Sequence, residues 1–253
     1  TEVTLKLHPR LAHSSTVLVP FATLDEVTRV VPEIVRSGVG PMILEYIDML
    51  TMAAATAYVG LDLGIPQEVK DSALAYLVIV LENHHADRLE ADVASVAEQV
   101  AEAGAIDVYV LPSAAGAGLI DAREKAFWVA KANNADDIID VVVPRAWIPT
   151  YMARVSEIAA ESGSWIAGCG HAGDGNVHMS IFQADADLRK ATLRKVFEAG
   201  IELGGAISGE HGIGTEKQHL FLELEDPAKI ALMRRIKAAF DPNGILNPGV
   251  IFD

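Results

Sequence analysis

Between Cys169 and Met179 the chain reads Cys-Gly-His-Ala-Gly-Asp-Gly-Asn-Val-His-Met, two segments that meet at Asp174-Gly175. Asp-Gly suits a two-residue hairpin turn, because both central residues must tolerate positive φ. Such a turn commits this part of the chain to an antiparallel pair of strands and sets its register, with Gly173 facing Asn176 and His171 facing His178. Directly opposed residues share a face with their Cβ atoms roughly 4.5 to 5.5 Å apart, so both imidazoles can reach one metal ion. An acidic third ligand would complete the set. The segment Ser208-Gly-Glu-His-Gly-Ile-Gly214 offers Glu210 for it.

The rest of the sequence bounds what surrounds this hairpin. With 253 residues, 51% of them hydrophobic, the chain can build one large domain or two small ones with a real core. A net charge of -15 with no Lys/Arg run argues against nucleic-acid binding, which needs clustered cations to neutralise phosphates. A single cysteine, Cys169, leaves no partner for an internal disulfide, and the longest apolar run, over 73–81, is too short to span a bilayer. A soluble, reducing compartment, read as the cytoplasm, is the expectation; attachment to a membrane surface stays open for a longer parent protein.

Residues 1–7 alternate polar and apolar from the first position, with Val3, Leu5 and Leu7 on one face. A strand with no lead-in, no initiator Met and no signal-peptide core reads as an excerpt of something longer, its first strand belonging to a sheet elsewhere. Beyond Pro9 the pattern gives a strand (15–19), a helix (24–36), a strand (42–48), a short Ala-rich helix (50–57), a doubly buried strand (74–81), a helix (87–103) and a strand (107–111). Glycines 116 and 118 read as a linker and 121–131 as a helix. A second series comes next: strand 138–143, helix 148–161, hairpin strands 165–169 and 177–182, helix 188–203, short strand 206–208.

Each series is βαββαβ, so the expected class is α+β: two ferredoxin-like units forming an antiparallel sheet covered by helices on one face. From residue 209 onward a glycine-rich turn, a helix near 216–224 and a helix over 227–240 with Asp226 as N-cap predict a small helical appendage. The expected divisions are therefore 1–12, 13–208 and 209–253. Trp128, Trp147 and Trp165 are expected in the core or at an interface. His84, His85 and His219 read as solvated, and Cys169 as a buried inert thiol.

Glu210-His211 sits between Gly209 and Gly212 just after a short strand. Adjacent side chains on extended backbone point to opposite sides, so Glu210 can bind the metal while His211 faces a substrate and moves a proton. Two imidazoles and a carboxylate suit Zn, Mn, Fe or Co. The same set would equally serve a metal-dependent hydrolase, with His211 activating water, or a non-enzymatic module that binds metal for structure alone.

His171-Ala-Gly-Asp-Gly-Asn-Val-His178, Ser208-Gly-Glu-His-Gly212 and the closing Asp241-Pro-Asn-Gly-Ile-Leu-Asn-Pro-Gly249 together resemble the C-terminal domain of FAD-linked oxidases and dehydrogenases. This is the vanillyl-alcohol-oxidase-like family that includes D-lactate dehydrogenases, the glycolate oxidase catalytic subunit and D-2-hydroxyglutarate dehydrogenase. The resemblance covers nearly the whole chain. Thr1-Glu-Val-Thr-Leu-Lys-Leu-His-Pro9 looks like the exit from the family's flavin domain, and Asp140-Val-Val-Val-Pro-Arg145 like a strand of its cap domain.

The resemblance implies a 2-hydroxy-acid substrate, FAD bound mainly by an N-terminal domain outside these residues, and an electron acceptor that is oxygen, a quinone or another protein. It assigns His171, His178 and Glu210 to a divalent metal, His211 to the base and Asn176 to substrate contact. Arg123, in Asp121-Ala-Arg-Glu-Lys-Ala-Phe127, matches the carboxylate-binding arginine, with Arg145 as competitor and a solvated helix arginine as the plain alternative. Asn247 in the closing Asn-Pro-Gly falls to the cofactor. Val250 stands where some members have lysine, which departs from the pattern. Taken alone, these residues are expected to bind no FAD tightly and not to turn over.

Overall fold

The computed structural model describes residues 2–7 and 9–252, and the chain divides into two compact units, 1–126 and 127–253. In the first, strands β1 (His13–Phe21), β2 (Ile43–Asp48), β3 (Ala75–Asn83) and β4 (Tyr109–Leu111) alternate with helices α1 (Leu24–Ser37), α2 (Met49–Val59), α3 (Gln67–Ser72) and α4 (Ala86–Glu102). Helix α5 (Ser113–Glu124) comes after β4. All pairings in this unit are antiparallel: β1 with β3 from His13↔Asn83 to Phe21↔Ala75, β2 with β3, and β1 with β4. The order β4-β1-β3-β2 is that of a ferredoxin-like βαββαβ sheet.

Local chemistry explains the boundaries. Thr23 caps α1 in a reciprocal box, its Oγ1 accepting from the Glu26 N–H at 3.2 Å while the Thr23 N–H donates to Glu26 Oε2 at 3.0 Å. In β1, the consecutive residues Val17, Leu18 and Val19 are all at zero exposure. Successive strand residues point to opposite faces, so both faces of this sheet are covered. One cover is α1 with α4, the other α2 with α5. The expectation of helices on one face only is therefore corrected here. Each such aliphatic side chain contributes about 1.5 to 3 kcal/mol by leaving water.

The same double cover corrects the reading of Gly116 and Gly118 as a linker. Both lie inside α5, and a Cβ at Gly116 would come within 2.6 Å of Thr16 Oγ1. The glycine lets the helix lie directly on β1, a reason that no local pattern reveals. The expected helix 121–131 is in fact the end of α5 and a separate α6 (Ala126–Ala132).

In the second unit, β5 (Asp137–Val142), α7 (Ile148–Ser162), β6 (Trp165–His171), β7 (Asn176–Phe182) and α8 (Ala186–Glu202) repeat the plan, with a 3-10 turn over Arg145–Trp147. Both β5 and β6 pair antiparallel with β7. The expected strand at 206–208 shrinks to one bridge, Val142↔Ala206. With that bridge in the fourth-strand place, the order again matches the first unit. Helices α7 and α8 pack on the Val141 face of β5, where a Cβ at Gly200 would meet Val141 Cγ1. Residues of opposite parity, among them Asp140, Asn176 and His178, point to the other face.

Helices α9 (Gln218–Leu224) and α10 (Pro227–Phe240) close the chain, with Asp226 capping α10 through the Ala228 N–H at 2.8 Å. At the far end Asp241 accepts from Lys237 Nζ and from the Ile245 and Leu246 N–H groups. Residues 2–7 belong to no strand, and Val3, Leu5 and Leu7 are exposed; Thr1 and His8, part of the expected exit strand, lie outside the described residues. Trp128, Trp147 and Trp165 are exposed, which removes the core half of the expectation that placed them in the core or at an interface. No helix among the described residues is long and apolar enough to cross a membrane.

Candidate metal and substrate site

The hairpin forms, in a different register from the one its turn dipeptide suggests. His171 faces Asn176 and Cys169 faces His178, so the loop is four residues, Ala172 to Gly175. Of these only Gly175 takes positive φ, at 84°, and the Asp174 N–H donates to His171 O at 2.9 Å as in a turn that starts one strand residue earlier. A two-residue I′ turn would need Asp174 at positive φ as well. The longer loop is held by tertiary contacts: the Val143 N–H donates to Gly175 O at 2.9 Å, and Arg145 Nη1 donates to Gly173 O at 3.2 Å.

The slip keeps the histidines on one face, as diagonal neighbours instead of directly opposed residues. Their rings meet edge to face with centroids 5.2 Å apart. Glu210 Oε1 lies 3.2 Å from His178 Nε2 and 3.6 Å from His171 Nε2, and one ligand atom from each of the three residues falls within 4.8 Å of the others. Two ligands held at about 2.1 Å from a tetrahedral cation are about 3.4 Å from each other. The donor set and its spacing therefore fit a divalent metal.

His211 comes to the same place: its ring centroid is 5.0 Å from that of His178, and its Nε2 is 3.9 Å from Glu210 Oε1. Asn176 is 5% exposed, and its amide lies against Gly209, where a Cβ would come within 2.4 Å of Asn176 Oδ1. That oxygen has no hydrogen-bond partner among the described residues. Glycine at 209 is what allows the turn to approach the hairpin this closely.

Sequence reasoning treats one residue that carries the site only as part of a strand. Asp140, opposite His178 across β5 and β7, is at zero exposure. Its Oδ2 accepts from the N–H groups of Gly209 at 2.7 Å, Glu210 at 2.7 Å and His211 at 3.1 Å, while its Oδ1 accepts from Lys217 Nζ at 2.5 Å. Burial pushes this carboxyl up, but hydrogen bonds from the Glu210 N–H, from Lys217 and from the His211 N–H outweigh it and hold Asp140 well below the usual carboxylate range. A lone charge inside the apolar run of β5 was the available signal, since buried charges are kept only where they are paired.

Arg123, on α5 of the first unit, is not the solvated arginine of the plain alternative: its side chain is 14% exposed and pairs with Glu45 through Nε at 2.6 Å. Asn247 occupies an exposed turn of the tail at φ 44°. Cys169 is buried beside His178, while His84, His85 and His219 are exposed.

A fold of two ferredoxin-like units with a His/His/Glu cluster and a neighbouring histidine defines the class of protein to which this chain belongs. Residues 10–251 match the family model for FAD linked oxidases, C-terminal domain, and the chain is a member of that family. It is 56% identical over 252 residues to an FAD-linked oxidoreductase of Mycobacterium tuberculosis, covering 100% of this chain and 55% of the relative. A D-lactate dehydrogenase of Anaerostipes hadrus is 31% identical, covering 99% of this chain and 54% of that one. Glycolate oxidase GlcD subunits and a D-2-hydroxyglutarate dehydrogenase are further relatives. In fold the chain is similar to 4-ethylphenol oxidase from Gulosibacter chungangensis, with a TM-score of 0.68 at 17% identity over 98% of this chain and 55% of that one. The chain spans about half the length of the relatives it matches.

Proposed function

We propose that this C-terminal domain is the substrate- and metal-binding part of an FAD-dependent dehydrogenase or oxidase acting on a 2-hydroxy acid of the glycolate, D-lactate or D-2-hydroxyglutarate type. The observation that carries the reading is the convergence of His171, His178 and Glu210 with His211 beside them. A divalent cation held by the first three would lower the pKa of a bound hydroxyl, and FAD would accept the hydride.

The chain's own residues do the rest. His211 takes the hydroxyl proton at Nε2, since its Nδ1 is turned toward Asp140, 3.4 Å away. Asn176 offers its buried amide to the substrate. A guanidinium, that of Arg123 with Arg145 as competitor, holds the carboxylate by paired hydrogen bonds and so sets which face of the α-carbon is presented. Glu45 keeps the Arg123 side chain in one orientation by pairing with its Nε.

The domain reading belongs to the same proposal: residues 1–12 as the exit from a flavin-binding part of a longer parent, 13–208 as the cap, 209–253 as a helical end with Asn247 near the cofactor. Residues 1–253 alone then do not turn over. The test is anaerobic addition of D-lactate, glycolate and D-2-hydroxyglutarate to the full-length protein. Bleaching of the flavin by one of them is expected. A full-length protein that holds its flavin and metal yet is reduced by none of the three would reject the substrate class. Metal-dependent ester hydrolysis without flavin reduction would point to the hydrolase instead.

A further inference from the structure

We infer that Asp140 is the positioning residue of this site: with Lys217 and Ser208 it clamps the 208–212 turn so that Glu210 and His211 face the hairpin histidines. The inference rests on the metal reading for its consequence, and on geometry alone for the clamp.

The two oxygens of Asp140 divide the work. Oδ2 receives three successive backbone N–H groups, from Gly209, Glu210 and His211. Such a run of donors around one acceptor fixes the direction of the chain at each of the three residues and hence where their side chains leave it. Oδ1 receives Lys217 Nζ at 2.5 Å and the Ser208 hydroxyl at 3.2 Å, and lies 3.4 Å from His211 Nδ1. Ser208 Oγ in turn accepts the Gly212 N–H at 2.8 Å and closes the turn on itself.

The charges are set by the same contacts. A buried carboxylate persists only with a partner, and Lys217, at 11% side-chain exposure, supplies one positive charge for one negative. The Glu210 carboxylate faces His171, His178 and His211, so its charge is available to a cation held among them. An amide at 140 would have the wrong chemistry. Asn has one acceptor oxygen and an NH2 group, and whichever way it turned, that NH2 would face either the three N–H donors or the Lys217 ammonium. Outer partners that orient ligands in this way typically contribute 10- to 100-fold in metal affinity.

The experiment compares wild type, Asp140→Asn, Lys217→Met and Thr192→Val in the intact protein. Thr192 is equally buried but hydrogen-bonded within α8 and to Ser164, away from the turn. Two readouts are taken: hydrogen–deuterium exchange of the peptide spanning 208–213 against peptides from β6 and β7, and the dissociation constant for Zn2+ or Co2+ by competition with a chromogenic chelator. Asp140→Asn is expected to speed exchange in 208–213 by about tenfold or more with β6 and β7 unchanged, and to weaken the metal by about 10- to 100-fold. Lys217→Met is expected to act in the same direction by a smaller factor, and serves alone if the asparagine variant fails to fold. Thr192→Val is expected to lower the melting temperature at unchanged metal affinity. Wild-type exchange at 208–213 in folded Asp140→Asn, or in Lys217→Met should that variant stand alone, overturns the clamp. So does exchange that rises equally across all peptides. Absence of metal binding by wild type, with the exchange pattern as expected, would reject the metal reading and leave the clamp standing.

Discussion

The two units share one topology, yet the first covers both faces of its sheet with helices and the second gathers polar side chains, His171, His178, Glu210 and Asp140, on one face. Their first strands make the contrast sharpest: β1 buries Val17, Leu18, Val19 and Phe21, whereas β5 carries Asp140 between Ile139 and Val141. The difference is decided at the fourth strand and the segment after it. In the first unit β4 pairs three residues with β1 and leads into α5, which lies on Thr16 and seals the second face. In the second the strand is a single bridge at Ala206, and the chain turns at once over Asp140. A shortened edge strand thus leaves a sheet face to be covered by polar backbone instead of a helix. That backbone brings Glu210 and His211 onto the hairpin.

The comparison can be broken most directly at the two histidines that the site treats differently. His178→Ala should cost more metal affinity than the 10- to 100-fold expected for an outer partner, because a ligand is gone. His211→Ala should keep its metal while flavin reduction slows by about 10²- to 10⁴-fold, the usual contribution of a positioned acid–base group. Metal analysis beside rapid-mixing absorbance checks both, and equal metal content in wild type and His178→Ala would refute the hairpin site.

A core change in the first unit should do the opposite. Ile79→Ala, fully buried on β3, is expected to destabilise by about 2 to 5 kcal/mol through lost burial and a cavity, with metal affinity of the folded protein unchanged. Denaturant unfolding read together with the chelator titration would show whether the units divide their labour as described.

The smallest effect is expected at the tail. The Lys237 hydrogen bond, together with the Leu246 and Ile245 N–H groups, overcomes burial and draws the Asp241 carboxyl down to about 2. A depressed carboxylate stabilises above its unfolded value near 3.9, and that contribution fades as pH falls toward the folded value. Wild type should therefore melt above Asp241→Asn at pH 5 to 7, and the gap should close on approaching about pH 2. A gap that widens on acidification would contradict the assigned contacts.

Much of the architecture was legible without coordinates. Periodicity located the strands and long helices of both units, because alternation and 3.6-residue spacing are local consequences of burying one face. The meeting of His171, His178 and Glu210 was legible because a candidate metal site needs particular side chains, and few stand near a turn signal. The hairpin register was not, since the Val143 and Arg145 contacts that hold the four-residue loop come from the end of another strand and the turn beyond it. Nor was Gly116, whose value lies in Thr16 a hundred residues earlier.

The sequence by itself determined the two βαββαβ series and the residue types at the site, both of which arise from patterns within short windows. Only the tertiary structure decided the diagonal placement of the histidines and the role of Asp140. The buried carboxylate acquires its meaning from donors some seventy residues further along the chain, and no local rule of period or propensity reaches that far.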